Sequence, residues 1–213
     1  GKIWLNDRVL QMKGFAQRTS NEWPGVGMSI PAWLSDYSNG MMVEGNANLV
    51  RWMHICPWKQ DIESCDRVGL IQAMPAGDAE KDRQGRQWGQ RTELMRDAII
   101  YNRNNPSIIF YECGNESISK EHMIEMKAIR DQYDPHGGRA IGSREMLDIR
   151  EAEYGGEMLY INKSKHHPMW AMEYCRDEGL RKYWDDYSYP YHKNGAGNDE
   201  YRSAMTNQVA KRK

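Results

Sequence analysis

Asn104-Asn105-Pro106-Ser107-Ile108-Ile109-Phe110-Tyr111-Glu112-Cys113-Gly114-Asn115-Glu116-Ser117 decides the fold, because a short apolar strand there runs straight into an Asn-Glu pair. The residue before a proline is pushed out of the helical region, and proline suits the first position of a strand, so Asn105-Pro106 marks the start. Ser107 to Tyr111 is β-branched and aromatic, apolar on both faces as a buried parallel strand requires. Gly114 ends it. Asn115 and Glu116 then project from the carboxyl end, and Ser119 caps a helix whose apolar side carries His122, Met123, Met126 and Ile129. A carboxylate at the carboxyl end of a parallel strand is a candidate proton donor or nucleophile.

Outward from this segment, strands and helices alternate. Upstream, Asn6-Asp7 reads as the turn of a hairpin leading into a first strand near Val9 to Ala16. Pro31 opens a helix expected to bury Trp33, Leu34, Tyr37, Met41 and Met42. Asn48 to Met53 is the next strand, with His54 and Cys56-Pro57 at its exit. A helix from Lys59 to Val68 stops at Gly69, and Leu70 to Met74 is a third strand stopped by Pro75. A helix from Gln90 to Asn102 carries Leu94, Met95, Ala98 and Ile99 on one face. Downstream of the quoted strand, Arg139 to Ser143 is a fifth strand, Tyr154 to Tyr160 a sixth weakened by Gly155-Gly156, and Pro168 to Tyr174 a seventh that contains Glu173. The tail suggests a last helix from Glu200 to Val209.

Alternation of this kind implies parallel pairing with right-handed crossovers. An open doubly wound sheet would show a Gly-rich phosphate loop after its first strand, and Gly25-Val26-Gly27 lacks the third glycine. A (β/α)8-type TIM barrel, by contrast, brings glutamates at the ends of two strands to one mouth. The barrel is expected to be incomplete: no eighth strand is legible, and the spacing leaves helices 5 and 6 short or missing.

With 213 residues the chain reads as one domain, 1–213. Its net charge of -1, with the signs interspersed, gives no electrostatic footprint for nucleic acid or an anionic membrane. No apolar stretch approaches the roughly 18 residues that span a bilayer, and no signal peptide is legible in the first residues. Cys56, Cys65, Cys113 and Cys175 lack metal-site spacing and read as buried free thiols, with a Cys113–Cys175 disulfide a lesser alternative. His166-His167 reads as plain surface. No cofactor or metal is called for. Eight Trp and twelve Tyr against two Phe suit a half-wet site where indoles stack on sugar rings, although core packing explains most of them equally well.

These residues together resemble the catalytic barrel domain of glycoside hydrolase family 2, the family of β-galactosidases, β-glucuronidases and β-mannosidases. Asn104 to Ser117 is similar to the family's Asn-His-Pro-Ser-Ile-Ile…Gly-Asn-Glu-Ser signature, with Asn105 where His is usual. Gly45 to Pro57 resembles Gly-Ala-Asn-x-x-Arg-x-Ser-His-Tyr-Pro, keeping Arg51, His54 and Pro57. Cys65-Asp66-Arg67-Val68-Gly69-Leu70 resembles the family's Cys-Asp-x-x-Gly-hydrophobic run. At the first strand Ala16-Gln17-Arg18-Thr19 replaces the family's Asn-Arg-His-Glu.

The resemblance implies a retaining glycosidase cleaving a terminal β-linked sugar by double displacement, with Glu116 as general acid/base and Glu173 as nucleophile. It implies that Asn115 holds the sugar 2-hydroxyl, Arg51 orients the nucleophile and His54 contacts substrate. Tyr160, or alternatively Tyr154, would stand against the nucleophile. Retention requires two carboxyl groups about 5–5.5 Å apart. The implied partners are a carbohydrate substrate and additional β-sandwich domains of the same polypeptide; localisation stays open, a periplasmic or secreted setting being compatible. Two alternatives stand beside this reading: a degenerate barrel that binds glycans without cutting them, and an endo-acting retaining glycosidase of the same clan.

Overall fold

The computed structural model describes residues 2–18, 30–75, 81–116, 118–144, 149–157 and 167–172. All belong to one compact unit, 1–157 with 161–172. The expected tail helix, Tyr160, Glu173 and Cys175 lie outside the described residues.

A two-stranded antiparallel ribbon, β1 (Trp4–Leu5) and β2 (Arg8–Val9), opens the chain. Its turn residues Asn6 and Asp7 both take positive φ, which short polar side chains tolerate. Val9 therefore belongs to the ribbon, and the first strand of the main sheet starts later than the sequence suggests, at Gly14 (β3, Gly14–Arg18). The cause is Asn48: its side chain accepts from the Lys13 amide at 2.9 Å and donates to the Gln11 carbonyl at 2.8 Å, tying down the intervening chain.

Among the described residues six strands follow β3: β4 (Leu49–Met53), β5 (Ile71–Pro75), β6 (Ile108–Glu112), β7 (Ala140–Arg144), β8 (Tyr154–Glu157) and β9 (Met169–Ala171). Each pairs in parallel with its predecessor, so the sheet runs from β3 to β9 in chain order. A doubly wound sheet reverses its order at a switch point, whereas a barrel winds one way throughout. The described residues form seven successive strands of a (β/α)8-type barrel, as expected. Between β5 and β6 the register shifts by one residue at Gln72/Ala73, a bulge on the strand that carries the quoted segment.

Helices α2 (Lys59–Val68), α3 (Gly85–Asn102) and α4 (Lys120–Tyr133) follow β4, β5 and β6. Met95, Ala98 and Ile99 of α3 and Met123 and Met126 of α4 pack with Met74, Ile108, Tyr111 and Ile141 of the sheet. Full burial of a methionine is worth about 1.5–3 kcal/mol, so Met126→Ala would open a costly gap here. The Ser119 hydroxyl accepts from the His122 amide at 3.3 Å, the expected cap of α4. Leu94, expected on the buried face of α3, is exposed. Between β7 and β8 the described residues contain no helix.

Helix α1 (Ala32–Glu44) departs from expectation. Trp33, Tyr37 and Met41 are exposed, and the buried face is Leu34, Ser35, Ser38, Asn39 and Met42. A polar seam with α2 explains it: Ser35 Oγ donates to Asp61 at 2.7 Å and Asn39 Nδ2 to Ser64 Oγ at 3.0 Å. Burial raises the carboxyl pKa of Asp61.

The opposite face of the sheet gathers Leu49, Ala73, Phe110, Tyr154, Trp170 and Met172. The Phe110 and Tyr154 rings meet edge to face at 5.1 Å between centroids, with Trp170 5.6 Å from Phe110. Gly156 is less a weakness of β8 than a necessity, since a Cβ there would overlap the Met172 side chain. His167, expected as plain surface, is buried.

Candidate active site

The carboxyl ends of β4, β6 and β7 bring together the charged residues of the inner face. Arg51 lies two residues beyond Leu49 and Glu112 two beyond Phe110, so strand alternation turns each to the side of the inner aromatic cluster. Arg51 and Glu112 are fully buried. Arg51 Nε donates to Glu112 Oε2 at 2.8 Å and Nη2 to Oε1 at 2.5 Å, a fork-to-fork pair across 61 positions of sequence. The same Nη2 donates to Asn115 Oδ1 at 2.8 Å. A buried pair of this kind is costly to desolvate and adds little net stability, but its geometry is specific: it fixes how the chain leaves β6.

Beyond Glu112 the chain is held from the neighbouring strand. Ser143 of β7 donates its hydroxyl to the Gly114 carbonyl, and the next residue, Arg144, reaches Glu116 with Nη2 2.6 Å from Oε1. Arg144 is 1% exposed at its side chain and Glu116 is 26% exposed, so a buried cation holds a carboxylate that solvent can still reach. On the other side Glu116 forms a parallel backbone bridge with Lys81. That loop is anchored in turn: Arg91 donates to the Lys81 carbonyl at 2.7 Å, and Asp82 accepts from the Ser119 amide and lies 2.6 Å from His122 Nδ1. His122 stacks on Trp88 with centroids 3.6 Å apart.

The nucleophilic side chains nearby are quiet. Burial pushes the Cys56 thiol up to about 12 and the Cys113 thiol well above its ordinary value, so neither supplies a thiolate at neutral pH. Cys56, Cys65 and Cys113 are free thiols. Burial also raises the Tyr154 phenol, whose hydroxyl donates to the Tyr111 carbonyl at 2.9 Å. Among the described residues no cluster of His, Cys, Asp or Glu is arranged to hold a metal ion.

The structure thus brings Arg51, Asn115 and Glu116 together at one end of the sheet. His54, at the exit of β4, is buried. Tyr154, the alternative tyrosine, is committed to the inner aromatic cluster. Sequence reasoning missed Arg144 and Ser143. The available signal was position: both close a parallel strand at its carboxyl end, where carboxylates were sought and cations were not.

The chain matches the model of "Glycosyl hydrolases family 2, TIM barrel domain" over residues 1–207. It belongs to glycoside hydrolase family 2. A curated relative, the β-glucuronidase of Formosa agariphila, is 30% identical over 189 residues, covering 86% of this chain and 19% of its own length. A solved structure of a β-glucuronidase from glycoside hydrolase family 2 superposes with a TM-score of 0.78 at 29% identity, covering 91% of this chain and 22% of that one. The fold is shared with a family 2 β-galacturonidase from Eisenbergiella tayi bound to galacturonate, at a TM-score of 0.71 and 20% identity over 81% of this chain and 37% of that one. The chain spans about a fifth of the length of the curated relative.

Proposed function

We propose that this chain is the catalytic barrel, or most of it, of a retaining β-glycosidase, and that it works as part of a longer polypeptide carrying β-sandwich domains. The observation that carries the reading is the Arg51–Glu112–Asn115 frame, which fixes the Asn115-Glu116 step at the carboxyl end of β6 and leaves the Glu116 carboxyl within reach of solvent. Glu116 acts as general acid/base. Glu173, assigned from the sequence resemblance alone, acts as nucleophile.

In the first step a Glu173 oxygen bonds to the anomeric carbon, the bond to the leaving oxygen breaks, and that oxygen takes the Glu116 proton. In the second, Glu116 takes a proton from water, the water oxygen bonds to the anomeric carbon, and the electron pair returns to Glu173. Two inversions give net retention. Asn115 holds the 2-hydroxyl, an interaction that strengthens as the oxocarbenium-like transition state forms. Arg51 orients the nucleophile, His54 contacts the sugar and Tyr160 stands against Glu173. The names of the relatives favour a β-linked uronic acid as the sugar removed.

The experiment uses the intact polypeptide with a panel of aryl β-glucuronides, β-galacturonides, β-galactosides and β-mannosides, and follows the product anomer by NMR. Fastest turnover on a uronide, a β product at first release, and labelling of Glu173 by a 2-deoxy-2-fluoro glycoside are expected. Inversion overturns the mechanism. Tight glycan binding without turnover points to a binding barrel, and rates that climb with oligosaccharide length point to endo action.

A further inference from the structure

We propose that Arg144 is the positioning residue of the acid/base: it aims the Glu116 carboxyl at the leaving oxygen and holds that aim through both steps. This rests on the reading of Glu116 given above. A glutamate at a strand mouth has three side-chain torsions to fix, and a general acid works only within hydrogen-bond reach of the oxygen it protonates. The backbone supports already described fix where the Glu116 main chain lies. They do nothing for its torsions. Among the described residues the hydrogen bond to its carboxyl comes from Arg144, a side chain 1% exposed on the neighbouring strand β7.

The anchor is rigid because its own strand is tied to the same turn. Ser143, immediately before Arg144, donates to the Gly114 carbonyl two residues before Glu116, so β7 registers both the backbone and the carboxyl of the β6 exit. Arg144 donates to Oε1, and a carboxylate has a second oxygen through which to serve the substrate. The guanidinium donates hydrogen bonds and accepts none, and it touches the chemistry only through Glu116.

Leaving groups of different quality separate this role from a merely structural one. A dinitrophenolate departs without protonation and a phenolate or alkoxide does not, while kcat/KM reports only the steps up to formation of the glycosyl-enzyme. In the intact polypeptide, Arg144→Gln should lower kcat/KM on an unactivated phenyl or alkyl glycoside by about 10- to 100-fold and leave kcat/KM on the dinitrophenyl glycoside within about 3-fold. Arg144→Lys, which keeps the stem and the charge but loses the fork, should fall between the two; it also carries the test if Arg144→Gln does not fold. Equal losses on both substrates, or no loss on either, would overturn the proposal. Glu116→Gln serves as the reference. If it fails to show the same split, the acid/base assignment itself fails; if it shows the split and the Arg144 variants do not, only the role of Arg144 is lost.

Discussion

The two ends of β6 use similar residues to opposite effect. At its amino end Asp66 of α2 accepts from Asn105 Nδ2 at 2.5 Å, from the Ser107 amide at 3.0 Å and from the Ser107 hydroxyl. Gln72 then donates to Ser107 Oγ at 2.6 Å and accepts from Trp52 Nε1 at 2.9 Å. These bonds tie the Asp66 carboxyl to the backbone and to neighbouring side chains, so it is committed to holding the chain. At the carboxyl end the polar groups also pair, Arg51 with Glu112 and Asn115 and Arg144 with Glu116, but the last carboxyl of the series stays partly open to solvent. On the proposed reading, one quoted segment contains a structural half and a chemical half. In a barrel, stability sits at the amino ends of strands and reactivity at the carboxyl ends.

The comparison breaks most visibly at the buried pair. Arg51→Met leaves Glu112 buried without its guanidinium and should cost about 3–5 kcal/mol in denaturant unfolding, whereas Arg51→Met with Glu112→Leu should recover most of that loss. Both should lack turnover. At the other end Asp66→Ala removes three accepted hydrogen bonds and should cost about 2–3 kcal/mol, yet the folded fraction should keep kcat within about 2-fold. A large kcat loss there would erase the distinction between the ends.

A smaller effect sharpens it from the flank. Glu153 is partly buried, which raises its carboxyl pKa, but hydrogen bonds from Arg130, Lys127 and the Ile141 amide outweigh burial and bring it down to about 2. A carboxyl depressed in the folded state contributes stability that is complete above its unfolded value of 4.5 and is lost as the pH falls toward about 2. After allowance for solvent screening, Glu153→Gln should cost about 1–2 kcal/mol at neutral pH and flatten the acid limb of the unfolding curve between those two values.

Much of this was legible in the sequence where one local rule suffices. Pro106 and Gly114 bracket β6, Gly69 takes the left-handed conformation that ends α2, and Ser119 caps α4. The parallel order followed from alternation alone. What was not legible depends on partners distant in the chain. The buried face of α1 is polar because α2 presents Asp61 and Ser64 to it, and no periodicity within α1 records that. Asn105 looked like a departure from the family pattern; bonded to Asp66 and to Lys59 Nζ at 2.7 Å, it completes the amino-end network. Arg51 was expected to orient the nucleophile, and the core acid it grips, Glu112, is 61 positions away. Arg144 is invisible until β7 is laid beside β6.

The central claim is that the carboxyl end of β6 is where protons move. Its most direct test is steady-state turnover of an unactivated aryl glycoside by the intact polypeptide carrying Glu116→Gln, compared with wild type at equal melting temperature. A fall in kcat/KM on the order of 10²- to 10⁴-fold is predicted. Turnover within about 3-fold of wild type would contradict the account.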